Sequence, residues 1–95
     1  MTALFPAKDR TIRLLISQAE DRLAGQVQAV DHWDGDLYAI GFFSPSNEQR
    51  LVYISSWNQP INHYYYHCEA GGATIAAGHG TVAEVLSILQ QYLLK

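Results

Sequence analysis

With 95 residues, 48% of them hydrophobic and 16% charged, the chain has room for one domain, residues 1–95, and its composition is the reverse of a disordered segment's. The net charge is −3, and four of the six basic residues (Lys8, Arg10, Arg13 and Arg22) fall in the first 22 positions. A general nucleic-acid binder carries a clearer positive excess or patch, so nucleic acid is not the expected partner.

The opening "MTALFPAKDR" reaches Lys8, Asp9 and Arg10 before a signal-peptide core could develop. No run approaches the ~20 apolar residues needed to span a bilayer, so a membrane is not an expected partner. Cys68 is the lone cysteine, which forbids an intrachain disulfide. Small secreted domains commonly need such staples, and a soluble, cytoplasmic protein is expected.

Residues 9 to 24, "DRTIRLLISQAEDRLA", place Ile12, Leu15, Ile16, Ala19 and Leu23 at helical spacing, with Gly25 as a stop. Arg10, Arg13, Ser17, Glu20 and Asp21 form the outward face, and Asp9 with Arg13 makes an i,i+4 pair. "QVQAV" (26 to 30) can join a sheet. "DHWDGD" (31 to 36) clusters three carboxylates. Setting Gly35 at the sixth position of an EF-hand loop puts Val30, His32 and Gly41 at the first, third and twelfth, where acidic ligands belong. The simpler reading is a turn at Asp34-Gly35, with Trp33 as an anchor.

The pattern then changes to period two. "DLYAIGFF" (36 to 43), "LVYISSW" (51 to 57) and "HYYYHCE" (63 to 69) are strand-like and are separated by the turn-forming "SPSNEQR" and "NQPIN". "ATIAA" (73 to 77), after Gly71 and Gly72, can add a fourth strand. Thr81 and Glu84 then stand at capping-box spacing ahead of a closing helix, "TVAEVLSILQQYLLK". Val82, Val85, Leu86, Leu89 and Leu93 line its apolar side; Ile88, Tyr92 and Leu94 widen it. The expected fold is α+β: an antiparallel meander of three to four strands with an N-terminal and a C-terminal helix on one sheet face.

Two further segments invite chemical readings. "NHYYYHCEAGG" (62 to 72) holds His63, His67, Cys68 and Glu69. In a strand, histidines four apart lie ~13 Å from each other, while zinc needs its ligating atoms at ~2 Å. Cys68 shares a face with Tyr64 and Tyr66, where an apolar setting raises a thiol's pKa and makes it inert. The strand reading therefore prevails over a metal centre or catalytic site, and no cofactor is implied. His32 or His79 could still complete a site with a strand histidine. "GHGTVA" (78 to 83) fits G-x-G-x-x-A, but no strand or ribose-binding acid follows it. What survives is an anion-binding reading for Gly78, His79 and Gly80 at a helix start.

The most informative feature is an absence: from Leu51 to Cys68 there is no Asp, Glu, Lys or Arg. A sheet face that meets water usually alternates in charged residues. Here Tyr53, Trp57, His63, Tyr65 and His67 stand instead, a composition typical of an interface centre. The expectation is a non-enzymatic interaction module that meets a protein partner or a second copy through this face. The alternatives are a small-molecule pocket, or a small metal- or anion-dependent enzyme using His63, His67, His32 or His79. The layout is compatible at fold level with small acidic immunity or antitoxin proteins, though no motif identifies that family.

Overall fold

The computed structural model describes residues 8–23, 25–30 and 36–94. In chain order the elements are α1 (Arg10–Arg22), β1 (Gln28–Val30), β2 (Ala39–Ser44), β3 (Asn47–Ser55), β4 (His63–Ala70), β5 (Ala73–Thr81) and α2 (Val82–Leu93). The strands make one antiparallel sheet in the order β1-β2-β3-β4-β5. The fold is the expected α+β meander between two helices, with five strands in place of three or four. Both optional segments, "QVQAV" and "ATIAA", enter the sheet at its two edges.

Helix α1 begins where Asp9 accepts the Thr11 N–H at 3.1 Å, satisfying one of the amides that a helix start leaves open. The Asp9 carboxylate also accepts the Ser56 hydroxyl at 3.2 Å, while the predicted partner Arg13 donates from Nε to the Lys8 carbonyl at 3.1 Å. The helix closes at Leu23, and the chain turns at Gly25, whose φ of 74° favours a residue without Cβ. A 13-residue helix is marginal in water by itself. Ile12, Leu15, Ile16 and Ala19 are buried, and each of the three large side chains contributes about 1.5–3 kcal/mol.

Helix α2 carries the capping box read from the sequence: the Thr81 hydroxyl accepts the Glu84 N–H, and the Glu84 carboxylate accepts the Thr81 N–H. Val85, Leu86, Leu89 and Leu93 are its buried stripe, flanked by the partly buried Val82, Ile88, Tyr92 and Leu94. At its far end the Arg50 guanidinium donates to the Tyr92 carbonyl at 2.9 Å and lies over the Tyr92 ring. A cation there opposes the partial negative charge of the helix C-terminus, for which α2 has no basic residue of its own.

Both helices pack on one face of the sheet, joining Ile40, Phe42, Val52, Ile54, Tyr64 and Cys68 in a single core. Tyr64 is fully buried, and its hydroxyl donates to the Thr11 carbonyl at 2.6 Å, tying β4 to the first turn of α1.

The hairpins depart from the predicted boundaries in instructive ways. The turn expected over "SPSNEQR" contracts to Pro45-Ser46, with Ser44 opposite Asn47, and residues 47–50 extend β3 past an irregularity in the ladder. Gly71 and Gly72 join β4 to β5 at φ values of 58° and 89°. A two-residue hairpin loop with both central residues at positive φ matches the sheet's twist.

Candidate functional site: the helix-free sheet face

Side chains alternate across a strand, and residues opposite one another on neighbouring strands share a face. Tyr53 pairs with His67, Ser55 with Tyr65, Tyr65 with His79, and Leu51 with Glu69. These residues therefore lie opposite the helix-packed set. Neither helix covers them.

An aromatic cluster occupies the middle of this face. The Tyr53 and His67 rings stack at 4.7 Å and 18°. Tyr65 meets Tyr53, His67 and His79 edge-on at 6.4, 5.9 and 5.5 Å. Quadrupole attraction favours such tilted and offset contacts, which also fix the rings in place. His67 Nε2 lies 2.6 Å from the Glu69 carboxylate, and His79 Nδ1 lies 3.2 Å from Gln59 Oε1. These side chains are half-buried or exposed, held at the surface by one another.

Beside the cluster runs a groove of about 490 Å³, lined by Val30, Phe43 and Leu51 with Glu48 and Glu69 among its walls. An apolar floor between carboxylates suits a side chain with an aliphatic stem and a cationic head. Among the described residues of this face there is no Lys or Arg: Arg50 points to the other side, toward α2.

Of the residues singled out in the sequence, Tyr53, Tyr65 and His67 come together. His63 sits at the start of β4, opposite Thr81, with Nδ1 2.9 Å from the Ile61 carbonyl. Trp57 lies in the β3–β4 connection, 66% exposed, with its ring against Tyr38 at 5.3 Å. It marks the sheet's end and does not join the cluster. His32 and the carboxylates of residues 31–34 lie outside the described residues.

Gly78, His79 and Gly80, read from the sequence as an anion-binding helix start, are strand: they lie near the end of β5, paired with Tyr66, Tyr65 and Tyr64. At the helix start the Glu84 carboxylate already takes the Thr81 amide, and that contact holds the Glu84 carboxyl below its ordinary range. His79 joins the aromatic cluster, a position that only the β4–β5 register reveals. Glu48 and the groove likewise depend on register and on the bent start of β3. Cys68 faces the core, where burial pushes its thiol pKa up.

Among the described residues no three His, Cys, Asp or Glu side chains come together in a way that could hold a metal ion. No described helix is long and apolar enough to cross a membrane. Compared with protein-family models, curated proteins and solved structures, the chain matches none.

Proposed function

We propose that this domain is a non-enzymatic interaction module that binds a protein partner through the helix-free face of its sheet, receiving a basic side chain of that partner in the Glu48–Glu69 groove. The observation that carries the reading is the pre-formed aromatic and histidine cluster of Tyr53, Tyr65, His67 and His79 on a face where the described residues include no Lys or Arg. Rigid aromatic side chains anchor contacts at low entropy cost. The carboxylates beside them, on a chain of net charge −3, complement a basic partner and discriminate against an acidic one.

The test is a panel of short arginine-, lysine- and glutamate-containing peptides titrated into isotopically labelled protein. Basic peptides are expected to shift amide resonances around Leu51, Tyr65 and Glu69, and Glu69→Gln and Tyr65→Lys to abolish those shifts while the domain stays folded. Shifts confined to other surfaces, or equal responses to acidic and basic peptides, refute this mode of binding. Tyr65→Lys unfolding the chain would mean that the face is core. Metal-dependent turnover that is lost on changing His63, His67 or His79 would favour the enzymatic reading.

A further inference from the structure

An antiparallel sheet that does not close has two edges, and each edge strand presents a row of backbone N–H and C=O groups without a ladder partner. At one edge β1 is three residues long, which limits what can pair with it. At the other, β5 runs for nine residues and pairs with β4 on its inner side. Its first five residues, Ala73–Ala77, are exposed, and so is His79.

Natural proteins blunt such edges with charged side chains, proline, bulges or a covering element. β5 contains no Asp, Glu, Lys, Arg or Pro, and the uncharged run extends from Ala70 to Ala83. One protective device is present, a register shift opposite Cys68 and Glu69 that puts the exposed Ile75 out of step. Beyond it the ladder is regular from Ala76 to Thr81. Helix α2, which leaves directly from Thr81, packs on the core face of the sheet, and among the described residues no strand pairs with the outer side of β5.

We propose that β5 pairs antiparallel with β5 of a second copy of this chain about a two-fold axis, joining two five-stranded sheets into one. A two-fold sets a strand against its own reverse, so any charge in its middle would meet its like. The β5 sequence "ATIAAGHGT" avoids that conflict along its whole length. A foreign peptide that adds to a sheet edge is selected by pockets for alternate side chains. Ala76, Ala77, Gly78 and Gly80 provide a flat, featureless edge, suited to a strand that is itself small-chained. The pairing is independent of the aromatic face and leaves it free, so the dimer would present two copies of that face side by side.

The experiment is sedimentation velocity on the full chain across a concentration series, with Ala76→Lys, Ala76→Glu and Tyr65→Lys variants. Ala76 is exposed and lies opposite Cys68, so its side chain is on the sheet side away from the aromatic cluster. Wild type and Tyr65→Lys are expected to dimerise. Ala76→Lys and Ala76→Glu, one residue from the midpoint of β5, should each weaken the dimer by about tenfold or more, since a two-fold near that midpoint brings the like charges of the two copies close together, and mixing the two variants should restore a dimer. In parallel, hydrogen exchange on wild type should show β5 amides gaining protection as concentration rises, a readout that holds even where a variant folds poorly. A wild type that is monomeric throughout overturns the proposal. So does a dimer that survives both Ala76 variants, or one that Tyr65→Lys alone dissolves, because either places assembly elsewhere. Failure of the peptide titration above would leave these outcomes untouched.

Discussion

Replacing Tyr64 with Phe isolates one hydroxyl whose role the structure defines. The side chain is fully buried, and its O–H donates to the Thr11 carbonyl at 2.6 Å. Phe keeps the ring and its packing, so the change at neutral pH is the loss of one neutral hydrogen bond. Such a bond contributes about 0.5–1.5 kcal/mol net. The Thr11 carbonyl, as an interior helix acceptor, retains the amide one turn on, which keeps the cost near the middle of that range. A loss of about 1 kcal/mol corresponds to roughly 4–8 °C in Tm for a domain of this size. The pH dependence supplies a second, sharper test. Burial, with the nearby Asp9 charge adding to it, raises the Tyr64 phenol well above its ordinary value of 10.0. Its folded-state pKa lies above the unfolded one, so the native state keeps the proton while the unfolded chain gives it up. The associated stability is whole below pH 10 and is lost as pH climbs above it, at about 1.4 kcal/mol per pH unit. Phe has no proton to lose. Cys68 and Tyr92, which are also raised, are common to both proteins and cancel in the difference. Urea unfolding followed by far-UV circular dichroism from about pH 7 to pH 11 should therefore show wild type ahead by about 1 kcal/mol at neutrality and behind Tyr64→Phe within about a unit beyond pH 10. Equal stability at pH 7, or a difference that stays flat to pH 11, refutes the buried hydrogen bond to α1.

Three further outcomes follow from local geometry. Thr81→Ala should cost about 1 kcal/mol by opening the capping box, measured as a shift in urea midpoint; because the box holds the Glu84 carboxyl low, stability should also fall as pH drops through that lowered value, and Glu84→Gln should lose this acid-side dependence. Gly78→Val should destabilise in thermal melts despite valine's preference for strands, because a Cβ there would stand 2.7 Å from the Tyr66 hydroxyl oxygen and force that ring aside. The Cys68 thiol, buried and raised in pKa, should react with a thiol reagent only at the rate of unfolding; rapid labelling of native protein would show that its strand face is open to solvent.

The alternation at residues 63–69 made the division of β4 into two faces legible in the sequence, Tyr64 with Cys68 on one and Tyr65 with His67 on the other; which of them is core follows only from the helices packing on the Tyr64 side. The helices were legible for a related reason, since their apolar stripes and the Thr81–Glu84 spacing are local properties. What local pattern could not supply was register. Gly78, His79 and Gly80 have little strand propensity, and their spacing imitates a phosphate loop. They extend β5 because the tyrosines of β4 lie across them, with Tyr66 filling the space above Gly78. Asn47–Arg50 read as turn because it is polar, yet the hairpin closes earlier, at Pro45-Ser46, and leaves those residues to continue the strand. The groove beside Glu69 and the meeting of His79 with Tyr65 follow from these two surprises.

The strictly sequential strand order has a consequence in time. Each strand pairs with the one just made, so the sheet can grow hairpin by hairpin with short loops to close. Helix α1 is the exception: it is synthesised early, but its anchor Tyr64 lies 53 residues downstream of Thr11, and its core neighbours on α2 come later still. Helix α1 leaves the ribosome before α2 and must wait, its apolar stripe uncovered, for α2 to arrive. Mutational analysis of folding kinetics should accordingly find low φ-values at Ile12 and Leu15 and higher ones at Val52 and Ile54.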